Sequence, residues 1–398
     1  MSININRLMN DINELGKIGY VDGIGTTRQA YSKSFYEGRK FVEVLMKNAG
    51  LKTNIDKIGN LTGYLEGRCN EKIIAMGSHI DTVLGGGIFD GALGVLAAIE
   101  VVRAMKEAGY KNSHPIEIIA FNEEEGNVIG GTFGSNAFIG AGFDSVMLSK
   151  MTAQGLTKED FYDSKRSSDN YRCYLELHVE QGGCLENQGV DIGVVSGIVG
   201  ILRYKATVIG KSNHSGSTPM NLRDDALEKT CRIISEMMEA VRTFSDTMVC
   251  TVGTLKVMPG EVNVIPGTTE FIIEMRDVNL DNVLIIIDKI QTKWCERGFF
   301  VEEYIKQGET FCDEKLMKII ENSTRKIGYS FKHIISGAGH DLMNMAKFTP
   351  SSLIFIPSHM GISHNIMEFS KKEDIFKGAR VLYETLIQID KEGRINEN

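Results

Sequence analysis

Three stretches of this sequence place acid and histidine side chains where buried strands should end, a position from which they can hold a metal ion or move a proton. The first runs Gly77-Ser-His-Ile-Asp-Thr-Val83, through Gly85, Gly86 and Gly87, to Phe89-Asp-Gly-Ala-Leu-Gly94. The apolar run Ile73–Met76 before it has the character of a buried strand, so His79 stands just past a strand end. Asp81 is two residues on and points the same way in an extended chain. Its carboxylate can there hold the far nitrogen of a metal-binding imidazole. Asp90 follows the glycine turn and opens an apolar helix. A histidine at a strand end and an acid at the next helix start suit a metal site in the crevice of an α/β sheet; alone, the same residues also read as a polar loop. The second stretch is Asn122-Glu-Glu-Glu-Gly126, directly after the apolar strand Ile116–Phe121. One of its acids can bind metal while a neighbour keeps a free carboxylate for proton transfer. The third is Tyr174-Leu-Glu-Leu-His-Val-Glu-Gln-Gly182, whose alternation puts Glu176, His178 and Glu180 on one strand face, where they need partners. Three such positions at successive strand ends favour metal over a solvated loop.

These residues need a scaffold. Ile5–Gly16 and Thr26–Ala49 carry apolar residues at helical spacing, the second closing at Gly50. Thr53–Leu65 alternates and turns at Gly59-Asn60, as a hairpin does. Strand Ile73–Met76, helix Asp90–Glu107 and strand Ile116–Phe121 imply a parallel sheet. Phe138–Ser168 is polar helix and loop. From about Ile201 the order becomes strand Tyr204–Ile209, helix Asn221–Phe244, strands Met248–Val257 and Thr268–Arg276, helix Leu280–Arg297 and strand Phe299–Lys306. That is β-α-β-β-α-β, a ferredoxin-like unit inserted in an α/β chain. Beyond Phe311 the first pattern returns, with strands Phe331–Ser336 and Ser352–Pro357 and a final helix Lys371–Asp390.

At 398 residues the chain is long enough for two domains. With 42% hydrophobic and 24% charged residues it has a soluble globular composition. A net charge of -8 argues against a nucleic-acid surface. No apolar run is long enough to span a membrane, and Met1–Gly16 is too polar for a signal peptide. The seven cysteines, scattered and without a CxxC pair, suit a reducing cytoplasm.

The set Gly-Ser-His-Ile-Asp-Thr-Val, Phe-Asp-Gly-Ala-Leu-Gly, Glu-Glu-Glu-Gly, Glu-Leu-His-Val-Glu-Gln-Gly, His214-Ser-Gly-Ser-Thr-Pro-Met220 and Gly361-Ile-Ser-His-Asn365 resembles the hydantoinase/carbamoylase branch of the M20 metallohydrolases. That branch includes N-carbamoyl-L-amino acid amidohydrolases, β-ureidopropionases, allantoate amidohydrolases and ureidoglycolate amidohydrolases. The resemblance covers nearly the whole chain. It implies a metallopeptidase-like catalytic domain with a mostly parallel sheet, here residues 1–205 and 318–398. The ferredoxin-like α+β insert, residues 206–317, would be a lid that also makes a homodimer. Five metal ligands are implied: His79, Asp90, Glu125, His178 and His364. Asp90 would bridge two divalent ions, Glu125 and His364 serving one, His79 and His178 the other. Imidazole and carboxylate ligands suit Zn²⁺ or Mn²⁺, with Co²⁺ or Ni²⁺ possible. Glu124 would be the general base and Asp81 its catalytic companion.

By the same resemblance, His214 reaches the other subunit's site and stabilises an oxyanion. Gln181, Arg203, Asn263, Arg276 and the backbone of Gly339 would meet a small substrate with a carboxylate, Arg276 as its bidentate clamp. His340 would shape its loop, and His114, His333 and His359 match no motif. The chain departs from the pattern in two places. It has Gly126-Asn-Val-Ile where the family usually has Gly-Ser-Arg-Phe, and Ile201-Leu202 where glutamine and arginine are more frequent. The expected activity is hydrolysis of the ureido C–N bond of an N-carbamoyl-amino acid, or of allantoate or ureidoglycolate. An M20 peptidase or aminoacylase would share the metals, and a silent binding protein would not need Glu124.

Overall fold

In the computed structural model, which describes residues 3–69 and 72–392, the chain order of strands is β1 (Tyr20–Val21), β2 (Gly25–Thr26), β3 (Lys52–Ile55), β4 (Leu61–Leu65), β5 (Ile73–His79), β6 (Ile116–Phe121), β7 (Tyr171–Val179), β8 (Ile192–Ile198), β9 (Gly200–Ile209), β10 (Val249–Met258), β11 (Thr268–Asp277), β12 (Phe299–Gln307), β13 (Thr310–Phe311), β14 (Phe331–Ser336) and β15 (Ser351–Ile356). The chain forms two compact units, one of residues 1–196, 311–334 and 338–398, the other of 197–310 and 335–337.

The first unit is built on a nine-stranded sheet in the order β13-β8-β15-β7-β5-β6-β4-β3, with β14 on β8. Its four central strands, β15, β7, β5 and β6, are mutually parallel. The β3–β4 hairpin continues the sheet antiparallel to β6, as its alternation and glycine turn predict. Both faces are covered, which is why the central strands are nearly continuous apolar runs. On one face Ile74, Met76, Cys173, Leu175 and Leu177 join the core with the helices Ala92–Glu107 and Lys372–Glu392. On the other, Phe121 and Tyr174 pack edge-on near Phe138. From Ala92 to Ile99 the Ala92–Glu107 helix is apolar on every side because it is buried on every side. A Cβ on Gly94 would lie 2.5 Å from the Leu177 carbonyl oxygen, so glycine there lets the helix touch the sheet backbone.

The second unit holds the β-α-β-β-α-β order: β9, helix Ala226–Phe244, β10, β11, helix Leu280–Trp294, β12. Its sheet is antiparallel, ordered β10-β11-β9-β12. Every second residue of β11 is buried, and Phe271, Ile273 and Met275 pack with both helices into a separate core. Glu270, Ile272, Glu274 and Arg276 occupy the opposite face.

Four differences from the expectation have local causes. The boundary expected between residues 205 and 206 cuts β9, which pairs along its length with β11 and belongs whole to the second unit. The one expected between 317 and 318 falls inside the helix Glu314–Lys326, whose Leu316, Ile319 and Ile320 belong to the first core. The helix expected from Thr26 begins at Lys33, because Thr26 is in β2, Tyr31 has a positive φ of 63° and Ser32 caps the helix by accepting from the Phe35 N–H. The strand β8 escaped notice because glycines interrupt its apolar pattern.

Candidate metal centre

The register of the parallel strands assembles the first two histidines. Gly77 lies opposite Glu176, so His79 and His178, each two residues further on, arrive level at the ends of β5 and β7. Their ring centroids are 6.0 Å apart. His79 lies opposite Phe121, so the three acids begin just beyond the same sheet edge. Asp90, ahead of the Ala92–Glu107 helix, stands among the histidines. Its Oδ1 lies 3.1 Å from His178 Nε2 and 3.6 Å from His79 Nε2. Its Oδ2 lies 3.2 Å from His364 Nε2, which is 3.5 Å from Glu125 Oε2. Glu124 Oε2 is 3.7 Å from His79 Nε2. Gly91 separates Asp90 from the helix with a φ of +63°, and a Cβ there would sit 2.4 Å from the His79 ring.

Both buried imidazoles have a fixed orientation. His79 Nδ1 lies 3.0 Å from the Asp81 carbonyl and His178 Nδ1 lies 2.9 Å from the Val179 carbonyl. A carbonyl only accepts, so each Nδ1 carries the proton and each Nε2 offers a lone pair. The Asp81 carboxylate therefore does not hold His79 in the way its spacing suggests: its Oδ1 is 3.7 Å from Nδ1. It accepts instead from the backbone N–H groups of Glu124 at 3.3 Å and Glu125 at 3.1 Å. The reason is that the acid loop crosses β5's end and brings two orphan donors to a fully buried carboxylate. Asp81 thus positions the two acids.

That loop is held a second way. Glu123, with a positive φ of 61°, turns its carboxylate to accept from the N–H groups of Val128 and Ile129, both at 2.6 Å. Ile129 anchors in a small apolar cluster with Ile58 and Phe133. Gln181 and His364 also have positive φ, of 59° and 53°. Strained backbone at three residues in or beside one site fits a functional constraint.

Outside the ligand-type atoms lies a polar support that sequence reasoning missed. Glu368 Oε1 accepts from the N–H groups of Phe89 and Asp90, both at 3.0 Å. Ser363 Oγ donates to Glu368 Oε2 at 3.0 Å. Gln181 Nε2 donates to Asp90 Oδ2 at 2.9 Å. Glu180, on the face expected to need partners, accepts instead from the Cys184 and Leu185 N–H groups. His340 packs its ring against His178, centroids 4.5 Å apart. Burial, with His178 beside it, holds His340 well below the ordinary imidazole range, in keeping with a loop-shaping role. His114, His333 and His359 contact the Lys72 carbonyl, Ser196 with Glu321, and Glu186, away from this cluster.

The electrostatics are those of a cation site. Burial alone would raise the Asp90 carboxyl, but hydrogen bonds with His178, His364 and His79 pull it well below the usual range. Burial pushes the Glu124 carboxyl well above that range. Burial, then the charge of Asp90, raises Glu125 to about 7. The hydrogen bond to Asp90 raises His364 to about 9.

The donor set fits divalent metal. Atoms of His79, Asp90 and His178 lie within 4.8 Å of one another, as do those of Asp90, Glu125 and His364. The buried Oε1 of Glu125 has no hydrogen-bond partner among the described residues, as expected of an acid that serves a metal. Nitrogen and oxygen donors without thiolate suit a borderline divalent ion.

Five expected residues remain. Gly339 is exposed in the first unit, beside buried His340. Four others are in the second unit. His214 Nδ1 accepts from the N–H groups of Gly216 and Ser217, at 3.1 and 3.2 Å, which leaves the proton on Nε2 and makes that nitrogen a donor. The Asn263 carbonyl accepts from the Ser215 N–H at 3.0 Å, tying the two loops together. Arg203 and Arg276 both bind Glu274.

Two sets of histidine and acid donors sharing Asp90, at the strand ends of a parallel-centred sheet, define a metal-dependent hydrolase. The chain belongs to peptidase family M20/M25/M40, whose family model matches residues 75–388. It is 36% identical over 401 residues to an N-carbamoyl-L-amino acid amidohydrolase of Geobacillus stearothermophilus, covering 96% of this chain and 98% of that one. It is 31% identical over 404 residues to the allantoate amidohydrolase of Bacillus subtilis, covering 96% and 97%. Among solved structures it resembles a hydantoinase/carbamoylase family amidase from Burkholderia multivorans, with a TM-score of 0.88, 28% identity and 97% and 98% coverage.

Proposed function

We propose that this hydrolase cleaves the ureido C–N bond of an N-carbamoyl-amino acid or a related ureido acid, yielding ammonia, carbon dioxide and the free amino compound. The observation that carries the reading is Asp90 shared between two donor sets with Glu124 at their side, in a chain similar over almost its whole length to a carbamoyl amidohydrolase. Two divalent ions per subunit, Zn²⁺ or Mn²⁺ first, would be held by His79, His178 and Asp90 and by Asp90, Glu125 and His364. Bound there, they supply an electrophile for the carbonyl and a low pKa for water.

The chain's own residues do the rest. Glu124, held in place by its N–H bond to Asp81, takes the proton of the attacking water and delivers it to the leaving nitrogen. Arg276 and Arg203 take the substrate carboxylate, with Gln181, Asn263 and the Gly339 backbone as further contacts. His214 donates from Nε2 to the carbonyl oxygen as negative charge grows there, serving the other subunit of a homodimer through the inserted lid.

A panel of N-carbamoyl-L-amino acids, N-carbamoyl-β-alanine, allantoate and ureidoglycolate, assayed for ammonia beside dipeptides and N-acyl amino acids, tests the reading. Ammonia from at least one ureido acid is expected. Cleavage confined to dipeptides or N-acyl amino acids would make the chain a peptidase or aminoacylase.

A further inference from the structure

The second unit carries its charged residues on the sheet face that its helices leave open. Glu274 and Arg203 are direct partners across the β11–β9 ladder. Arg203 Nε donates to Glu274 Oε2 at 2.5 Å, and Arg276 Nε donates to Glu274 Oε1 at 2.9 Å. Arg276 Nη1 also donates to the Gly337 carbonyl at 2.7 Å. One carboxylate thus lies between two guanidiniums, all three half-buried, with side-chain exposures of 36% for Arg203, 24% for Glu274 and 26% for Arg276. Their other cross-strand partners are uncharged: Thr251 beside Glu274, Ile305 beside Arg203, Ile201 and Val249 beside Arg276. Further along the face Lys205 and Glu270 balance each other at 4.0 Å. The local sum is two positive charges less one, a single net positive charge. Burial would raise Glu274, but the hydrogen bonds from Arg203 and Arg276 outweigh it and keep the carboxylate ionised.

We propose that Glu274 is a specificity-determining residue: by cancelling one of the two guanidinium charges it matches the subsite to a ureido acid with one carboxylate and disfavours those carrying a second anionic group. This rests on the reading that Arg276 and Arg203 receive the substrate carboxylate. Together with the Gly337 carbonyl, Glu274 also fixes the Arg276 fork.

The test compares two substrates of one shape, N-carbamoyl-L-aspartate and N-carbamoyl-L-asparagine, which differ by one negative charge. The ratio of their kcat/KM values is measured for the wild type, Glu274→Gln, Arg203→Gln and the double variant. Glu274→Gln should move the ratio about tenfold towards the dianion, the scale of one charge at several ångströms in a half-exposed setting. Arg203→Gln should move it the opposite way. The double variant, with its net charge restored, should return to within about threefold of wild type, which a merely structural Glu274 would not produce. Arg203→Gln keeps the test decisive if Glu274→Gln folds poorly. Ammonia release with an unmoved ratio, or a double variant that stays shifted, overturns the inference alone. A wild type that releases no ammonia from any ureido acid overturns the underlying reading as well.

Discussion

Asp90 faces three imidazoles with two oxygens, and its charge acts on the neighbouring acids Glu125 and Glu368. An arrangement of that kind is stable when a cation supplies the missing charge. His79→Ala and His178→Ala should each lower the metal content from about two ions per subunit towards one, because the donor set of one ion is broken; unchanged content by elemental analysis would refute the ligand assignment. Glu124→Gln should keep the metal and the fold yet lose roughly 10²–10⁴-fold in kcat, the span of a general base. Turnover near wild type would remove Glu124 from that role. At this scale the sequence disclosed residue types better than partners. His79, Asp90, Glu125, His178 and His364 are visible because each sits in a short motif. The carboxylate of Asp81 lies 3.7 Å from His79 Nδ1 but takes its hydrogen bonds from the acid loop, because spacing along a strand does not show which loop will cross it. Glu368 was invisible: its partners at Phe89 and Asp90 are far off in the chain, and one acid before a polar loop carries no signal.

Elements rather than residues set the distances. The level ends of β5 and β7 follow from parallel register, and Asp90 enters because the next helix starts against the sheet. Gly91 is the joint. Gly91→Ala should cost about 1–3 kcal/mol for the sparsely populated positive-φ backbone alone, and its Cβ would press on the His79 ring, 2.4 Å away. The expected outcome is a lower melting temperature of the metal-free protein together with weaker metal retention; a variant that melts and binds as wild type would mean the joint has slack. Helices and the ferredoxin-like order were legible from apolar periodicity, since each has one buried face. Boundaries were less so. The glycines of β8 hide a strand, and the 205/206 boundary cuts β9, whose pairing with β11 runs from Gly200 to Ile209.

For the whole molecule, the proposal that His214 serves the other subunit predicts complementation. His214→Ala and Glu124→Gln proteins, each inactive, are mixed under conditions where subunits exchange. About half the dimers should then be mixed and hold one intact site, returning about a quarter of wild-type activity. Exchange without recovery would confine His214 to its own chain or to no role. No helix among the described residues is long and apolar enough to cross a membrane. The measurement closest to the central claim is ammonia release from an N-carbamoyl-L-amino acid, followed through chelation and metal return. Ammonia should match the free amino acid formed mole for mole, vanish on chelation and reappear with Zn²⁺ or Mn²⁺. Ammonia release that persists in metal-free protein, or dipeptide cleavage with no ammonia from any ureido acid, would contradict the account.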